Sequence, residues 1–69
     1  MDDFKERMVV GYKELCDGIN MLDAFIDEIA EDRSKVSDEH YSILRNHYFS
    51  MCACEDALKM RINDLGIDL

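Results

Sequence analysis

The sequence predicts an all-α fold, an antiparallel two-helix hairpin that assembles into a homo-oligomeric helical bundle, and three observations carry that reading. The first is a pair of ladders: Met8, Tyr12, Leu15, Ile19, Leu22, Ile26, Ile29, and then Tyr41, Leu44, Tyr48, Met51, Glu55, Leu58, Ile62, Leu65. Steps of three and four repeat without a slip, which puts each set on one helical stripe and suits a slightly supercoiled seam. The second is the absence of proline, which would break or kink either helix. The third is length. A chain of 69 residues makes one domain and seldom buries enough apolar surface alone to offset its conformational entropy. Three cysteines without paired Cys-x-x-Cys spacing make disulfides or a structural metal poor supplements, which leaves self-association.

Helix 1 is expected over about 3–32. Asp2 or Asp3 supplies a carboxylate that caps free N–H groups and suits the positive end of the helix dipole. A turn over 33–37 follows, and Ser37 is a good N-cap for helix 2, with Asp38 and Glu39 in its first turn and Val36 and Tyr41 spaced for a hydrophobic staple. Helix 2 is expected over about 38–65. Gly66 can take the left-handed conformation after it, and Ile67 can fold back on Ile62. Each helix then spans roughly 40 Å at 1.5 Å per residue. With Ile29 facing Tyr41, antiparallel pairing sets Ile26 by Leu44, Leu22 by Tyr48, Ile19 by Met51, Leu15 by Glu55, Tyr12 by Leu58 and Met8 by Ile62.

Composition narrows the function classes. Sixteen acids against eight bases give a net charge of −8, which opposes general nucleic-acid binding because phosphate neutralisation needs a basic face. Residues 14–39 hold nine of the acids against Arg33 and Lys35, a local net of −7. Lys5, Arg7, Lys13, Lys59 and Arg61 lie toward the two termini, so the open end of the hairpin is the expected cation cluster. No 18-residue uncharged run offers a membrane span, and the start Met1, Asp2, Asp3, Phe4, Lys5 lacks the basic and apolar regions of a signal peptide. A cytosolic protein with free thiols is expected.

Few residues depart from the pattern. Glu55 occupies a seam position, where a carboxylate needs a partner or a raised pKa. Tyr12 or a neighbouring subunit's cation could supply it, and the residue reads as a setter of register or subunit number, as a tolerated edge position or as a ligand contact. Gly11 and Gly18 lie seven apart on a stripe continued by Phe4 and Phe25, and each glycine costs a helix about 1 kcal/mol relative to alanine. Close approach of another helix, or a groove for a flat ligand, would justify them. A second stripe on helix 2, Ile43, His47, Ser50, Cys54, Ala57, Arg61, is mostly small or polar and suits a neighbouring hairpin or a polar ligand, with Arg45 and Lys59 flanking it. Gly11, Gly18, Phe25, Ile43, Cys54 and Glu55 are therefore the candidate oligomer interface. Imidazole and guanidinium groups recognise anions and stack on bases, so Arg7, Arg45, His47, Tyr48 and Arg61 are the candidate ligand residues.

No catalytic constellation is present, and neither a metal nor a cofactor is expected. Cys52 and Cys54 point about 200° apart on a helix, so they cannot share an ion, and Cys16 reads as a small core residue. His40 reads as a first-turn surface residue. The cluster Asp27, Glu28, Glu31, Asp32 reads as a solvated helix end, a mimic of nucleic acid or a dock for a basic partner.

The run Arg7, Met8, Tyr12, Leu15, Ile19, Leu22, Phe25, Ile26, then Leu44, Met51, Leu58, Arg61, Ile62 resembles a family of small bacteriophage helical-hairpin proteins related to a crAss-like phage protein. The likeness covers residues 5–63. The family pattern tends to carry glutamine where this chain has His47, tyrosine where it has Cys54 and arginine at Arg61. The resemblance implies a small accessory protein acting in the host cytoplasm. One mode is an oligomeric sponge that traps a nucleotide-like defence signal between subunits; another is an acidic inhibitor of a host or defence protein; a third is a structural or assembly component.

Overall fold

Each ladder winds one long helix, and the two fold back on each other. The computed structural model describes residues 3–68, in which α1 (Asp3–Glu31) and α2 (Asp38–Asp64) flank a single 3-10 turn, Arg33–Lys35, with no strand among the described residues. Asp3 and Glu6 provide acidic side chains in the first turn of α1, where they suit the dipole. Asp2 lies outside the described residues.

The connection is held by its own side chains. Asp32 accepts hydrogen bonds from the backbone N–H and the hydroxyl of Ser34, which hold its carboxyl below the usual range. Lys35 reaches back to Glu28 at 2.7 Å, a bond that holds its ammonium above the usual range. Arg33 pairs with Asp38 at 2.9 Å. Ser37 then caps α2, its hydroxyl accepting from the His40 N–H at 3.0 Å. At the far end Gly66 takes φ +71°. Its N–H donates to the Asn63 carbonyl and that of Ile67 to the Ile62 carbonyl, the Schellman pattern that the glycine and the apolar residue after it predict.

Glu55 meets Tyr12 and Cys16, and a Cβ on Gly18 would lie 3.2 Å from the Met51 Cε, contacts that fix the helices in the register the ladders predict. The interior is thin. Only Met8, Ile19, Ile29 and Ile62 are buried among the described residues, and the other ladder positions are half-buried, save Leu65, which is exposed. The rod measures 50 × 15 × 14 Å with a radius of gyration of 15.3 Å, against about 11 Å for a compact domain of this length. Phe4, Val10, Met21, Phe25, Ile43, Phe49 and Met60 remain exposed. No helix among the described residues is long and apolar enough to cross a membrane.

Candidate functional site: an aromatic cleft in the acidic half

Helical spacing places Tyr41, Arg45, Tyr48 and Phe49 along one flank of α2, and the hairpin brings Asp23 and Ile26 of α1 alongside them. Together they line a side cleft of about 370 Å³, at the lower end of the roughly 300–1,000 Å³ of ligand clefts. Ile26, Tyr41 and Tyr48 are half-buried, whereas Asp23, Arg45 and Phe49 are exposed. The Tyr48 and Phe49 rings meet edge to face with centroids 5.8 Å apart. Two guanidinium groups stack against the aromatic set, Arg33 over Tyr41 at 3.9 Å and Arg45 over Phe49 at 5.8 Å. Arg33 is also committed to Asp38, while Arg45 forms no ion pair among the described residues.

The two walls of the cleft differ in charge. Hydrogen bonding with Cys52, then the charges of Asp23 and Asp27 and partial burial, raise the Tyr48 phenol above its usual range. The α1 wall thus carries the carboxylate of Asp23, and the α2 wall carries both the guanidinium and the aromatic rings. Such a site suits a ligand that is itself divided into a hydrogen-bond donor edge, a flat body and an anionic group.

A second polar cluster sits in the seam. The Tyr12 hydroxyl donates to a Glu55 carboxylate oxygen at 3.5 Å, and the Cys16 thiol reaches the same oxygen at 3.5 Å. Hydrogen bonding with Cys16, burial and the nearby Glu55 charge raise the Tyr12 phenol. Glu55 therefore has partners within its own chain.

The five candidate ligand residues fall into three places. Arg45 and Tyr48 share the cleft. His47, two residues from Arg45 and so about 200° around the helix, is exposed on a different face. Arg7 and Arg61 sit near the open end, Arg61 some 24 Å along α2 from Arg45 at 1.5 Å per residue. The open end was the expected cation cluster, yet the stacked guanidinium groups, Arg33 and Arg45, lie on aromatic rings near the turn. Long side chains at the turn find rings to cover there, a pairing that charge counts along the chain do not reveal.

Among the candidate interface residues, Gly11 has nothing within 4 Å of a built Cβ, whereas Gly18 lies against Met51 of the same chain. Phe25, Ile43 and Cys54 are exposed. The whole stripe Ile43, His47, Ser50, Cys54, Ala57, Arg61 is exposed, as is a shallow apolar patch of Met21, Ala24 and Phe25 beside Glu28 on α1. No group of three or more His, Cys, Asp or Glu among the described residues could hold a metal ion.

Sequence reasoning missed Asp23, Tyr41 and Phe49 as cleft residues. The signal was present: Arg45 stands four residues after Tyr41 and four before Phe49, a spacing that stacks them on one flank.

Two helices, an acidic turn half and an aromatic side cleft define a small all-α hairpin suited to binding. The chain belongs to the Sequestin family, whose family model matches residues 2–64. That family name is compatible with a sequestering, binding role. Comparison with curated proteins and with solved structures finds no match.

Proposed function

We propose that this protein is a phage-encoded, non-enzymatic sponge: an oligomer that sequesters a nucleotide-like defence signal in the host cytoplasm. The observation that carries the proposal is the cleft in which Tyr41, Tyr48 and Phe49 supply aromatic rings and Arg45 a guanidinium with no ion-pair partner among the described residues. Aromatic stacking on a base and guanidinium binding of phosphate are the two interactions that nucleotides combine. Membership of the Sequestin family supports sequestration as the mode. The thin core and the exposed Ile43–Arg61 stripe support assembly.

Isothermal titration calorimetry with nucleoside monophosphates tests this reading. Binding should weaken roughly tenfold or more for Arg45→Ala or Tyr48→Ala, given about 1–3 kcal/mol per stacked base. Heating the loaded protein should release the nucleotide chemically unchanged. A hydrolysed product would contradict a sponge, and absence of binding would remove the nucleotide.

A second reading has its own observation. Met21 and Phe25 are 74% and 43% exposed in a half of the chain that carries a local net of −7, a combination suited to a basic, amphipathic helix of a host protein. Binding to such a protein would survive Arg45→Ala and fail on Met21→Glu, the opposite of the sponge.

A further inference from the structure

We propose that a second copy of this chain, turned end for end, covers the broad side of the hairpin opposite the aromatic cleft, an inference that rests on the self-association in the proposed function and not on its ligand. Asp23 and Arg45 line the cleft together. Phe25 and Ile43 stand two positions from them, about 200° around their own helices, and so share the other side. Both are open to solvent, 43% and 55% exposed. Between them and the open end this side is low, with Gly11 and Gly18 on α1 and Ser50, Cys54 and Ala57 on α2. The chain exposes 5146 Å² in all. A folded monomer of 8.1 kDa exposes about 4,500 Å² by the scaling of surface with mass. The surplus, roughly 650 Å², is close to the ~800 Å² that each partner buries in a standard interface.

One two-fold axis suits both helices. Gly18 lies level with Met51, a built Cβ standing 3.2 Å from the Met51 Cε, so an axis through Gly18 crosses α2 beside Met51 and Cys52. About Gly18, positions seven residues to either side exchange, and Phe25 of each copy enters the open space at the other's Gly11, where a built Cβ has nothing within 4 Å. About Cys52, Ser50 exchanges with Cys54, His47 with Ala57, and Ile43 with Arg61, whose aliphatic stem covers the isoleucine. Large side chains thus meet small ones on both helices. The contact is isologous, and it closes a four-helix bundle. Charge selects the end-for-end arrangement. Arg7 exchanges with position 29 and comes beside the second copy's Glu28, in the half with a local net of −7, whereas copies aligned in parallel would set those acidic halves side by side. The cleft with Arg45 and Phe49 stays outside the pair, one to each chain.

Sedimentation equilibrium of the full chain should give twice the 8.1 kDa mass, or a multiple of that pair. Gly11→Leu fills the space that Phe25 of the second copy enters while meeting nothing in its own chain. Circular dichroism should therefore show an intact hairpin, and the dissociation constant should rise roughly tenfold or more. Asn20→Leu, three residues before Asp23 on the cleft side, is a neutral change of the same kind and should leave that constant within about twofold. Ser50→Cys reads the orientation. On mild oxidation the introduced thiol should link to Cys54 of the other chain, giving a covalent dimer that Cys54→Ser in the same chain abolishes. Equal effects of Gly11→Leu and Asn20→Leu, or an oxidised Ser50→Cys chain that forms no link or one that peptide mapping places elsewhere, overturn this face and leave an associating sponge standing. A monomer at every concentration overturns the pair and the self-association it rests on, while nucleotide binding, read separately by calorimetry, stands or falls on Arg45 and Tyr48.

Discussion

Glu55 shows how one residue can break the seam pattern and still fit. Glu55 is half-buried, and the hydroxyl of Tyr12, about a turn before its expected neighbour Leu15, and the thiol of Cys16, the residue after it, solvate its carboxylate. Neutral donors offset part of the desolvation of a carboxylate but specify register more than they stabilise. Glu55→Leu should therefore raise stability by about 1 kcal/mol in urea unfolding. The same change should broaden the range of assemblies seen by light scattering. A loss of stability would show that the carboxylate contributes net energy.

The Tyr12 phenol carries a pH consequence. Because its folded pKa is raised, folding favours the protonated form, and the stability this contributes is complete below the ordinary phenol value near 10 and is lost as pH rises through the higher folded value. Tyr48 and Lys35 are raised as well and act in the same direction. Alkaline unfolding should begin above about pH 10, and Tyr12→Phe should flatten that limb in a circular-dichroism titration. An unchanged limb in Tyr12→Phe would assign it to Tyr48 and Lys35. Glu55 was legible as an anomaly and Tyr12 as its partner, because both follow from periodicity. Asp23 was not, because an acid outside the ladder looks like any solvated charge until the facing helix supplies rings beside it.

At the scale of the elements, punctuation was the most legible layer. Ser37 and Gly66 act through their own backbone neighbourhoods, so sequence alone located both ends of α2 to within a residue. Gly66→Ala should cost about 1–2 kcal/mol because the left-handed conformation strains a Cβ. What flanks the seam was less legible. A 3.6-residue period says which face turns inward, but side-chain direction and the crossing of the helices decide which flanking residues meet, and Phe49 belongs to neither ladder.

The two helix-1 glycines separate cleanly. Gly18→Ala asks only the flexible end of Met51 to move, whereas Gly11 faces open space in the single hairpin. Alanine at position 11 would then gain about 1 kcal/mol of helix propensity, unless a neighbouring copy packs there. The oligomeric reading predicts weaker assembly for Gly11→Ala in sedimentation equilibrium. Tighter or unchanged assembly would place the interface elsewhere.

For the whole molecule, shape and charge pull in opposite directions. A rod of 50 × 15 × 14 Å with four buried core side chains among the described residues exposes large apolar groups along its length, which the proposed association would cover. In the proposed oligomer charge opposes association: the net of −8 makes copies repel, and the acidic turn half favours meeting a neighbour's less acidic open end. Moderate salt should strengthen assembly by screening, and the melting temperature should rise with protein concentration. A concentration-independent melt would describe a hairpin stable alone.

The most direct test of a sequestering oligomer is native mass spectrometry of the purified protein with and without a mixture of nucleotides. The account predicts a discrete multiple of the 8.1 kDa chain that gains the mass of intact nucleotide, and loses that gain in Arg45→Ala and Tyr48→Ala. A monomer, or an oligomer whose mass stays the same with every nucleotide offered, would contradict it.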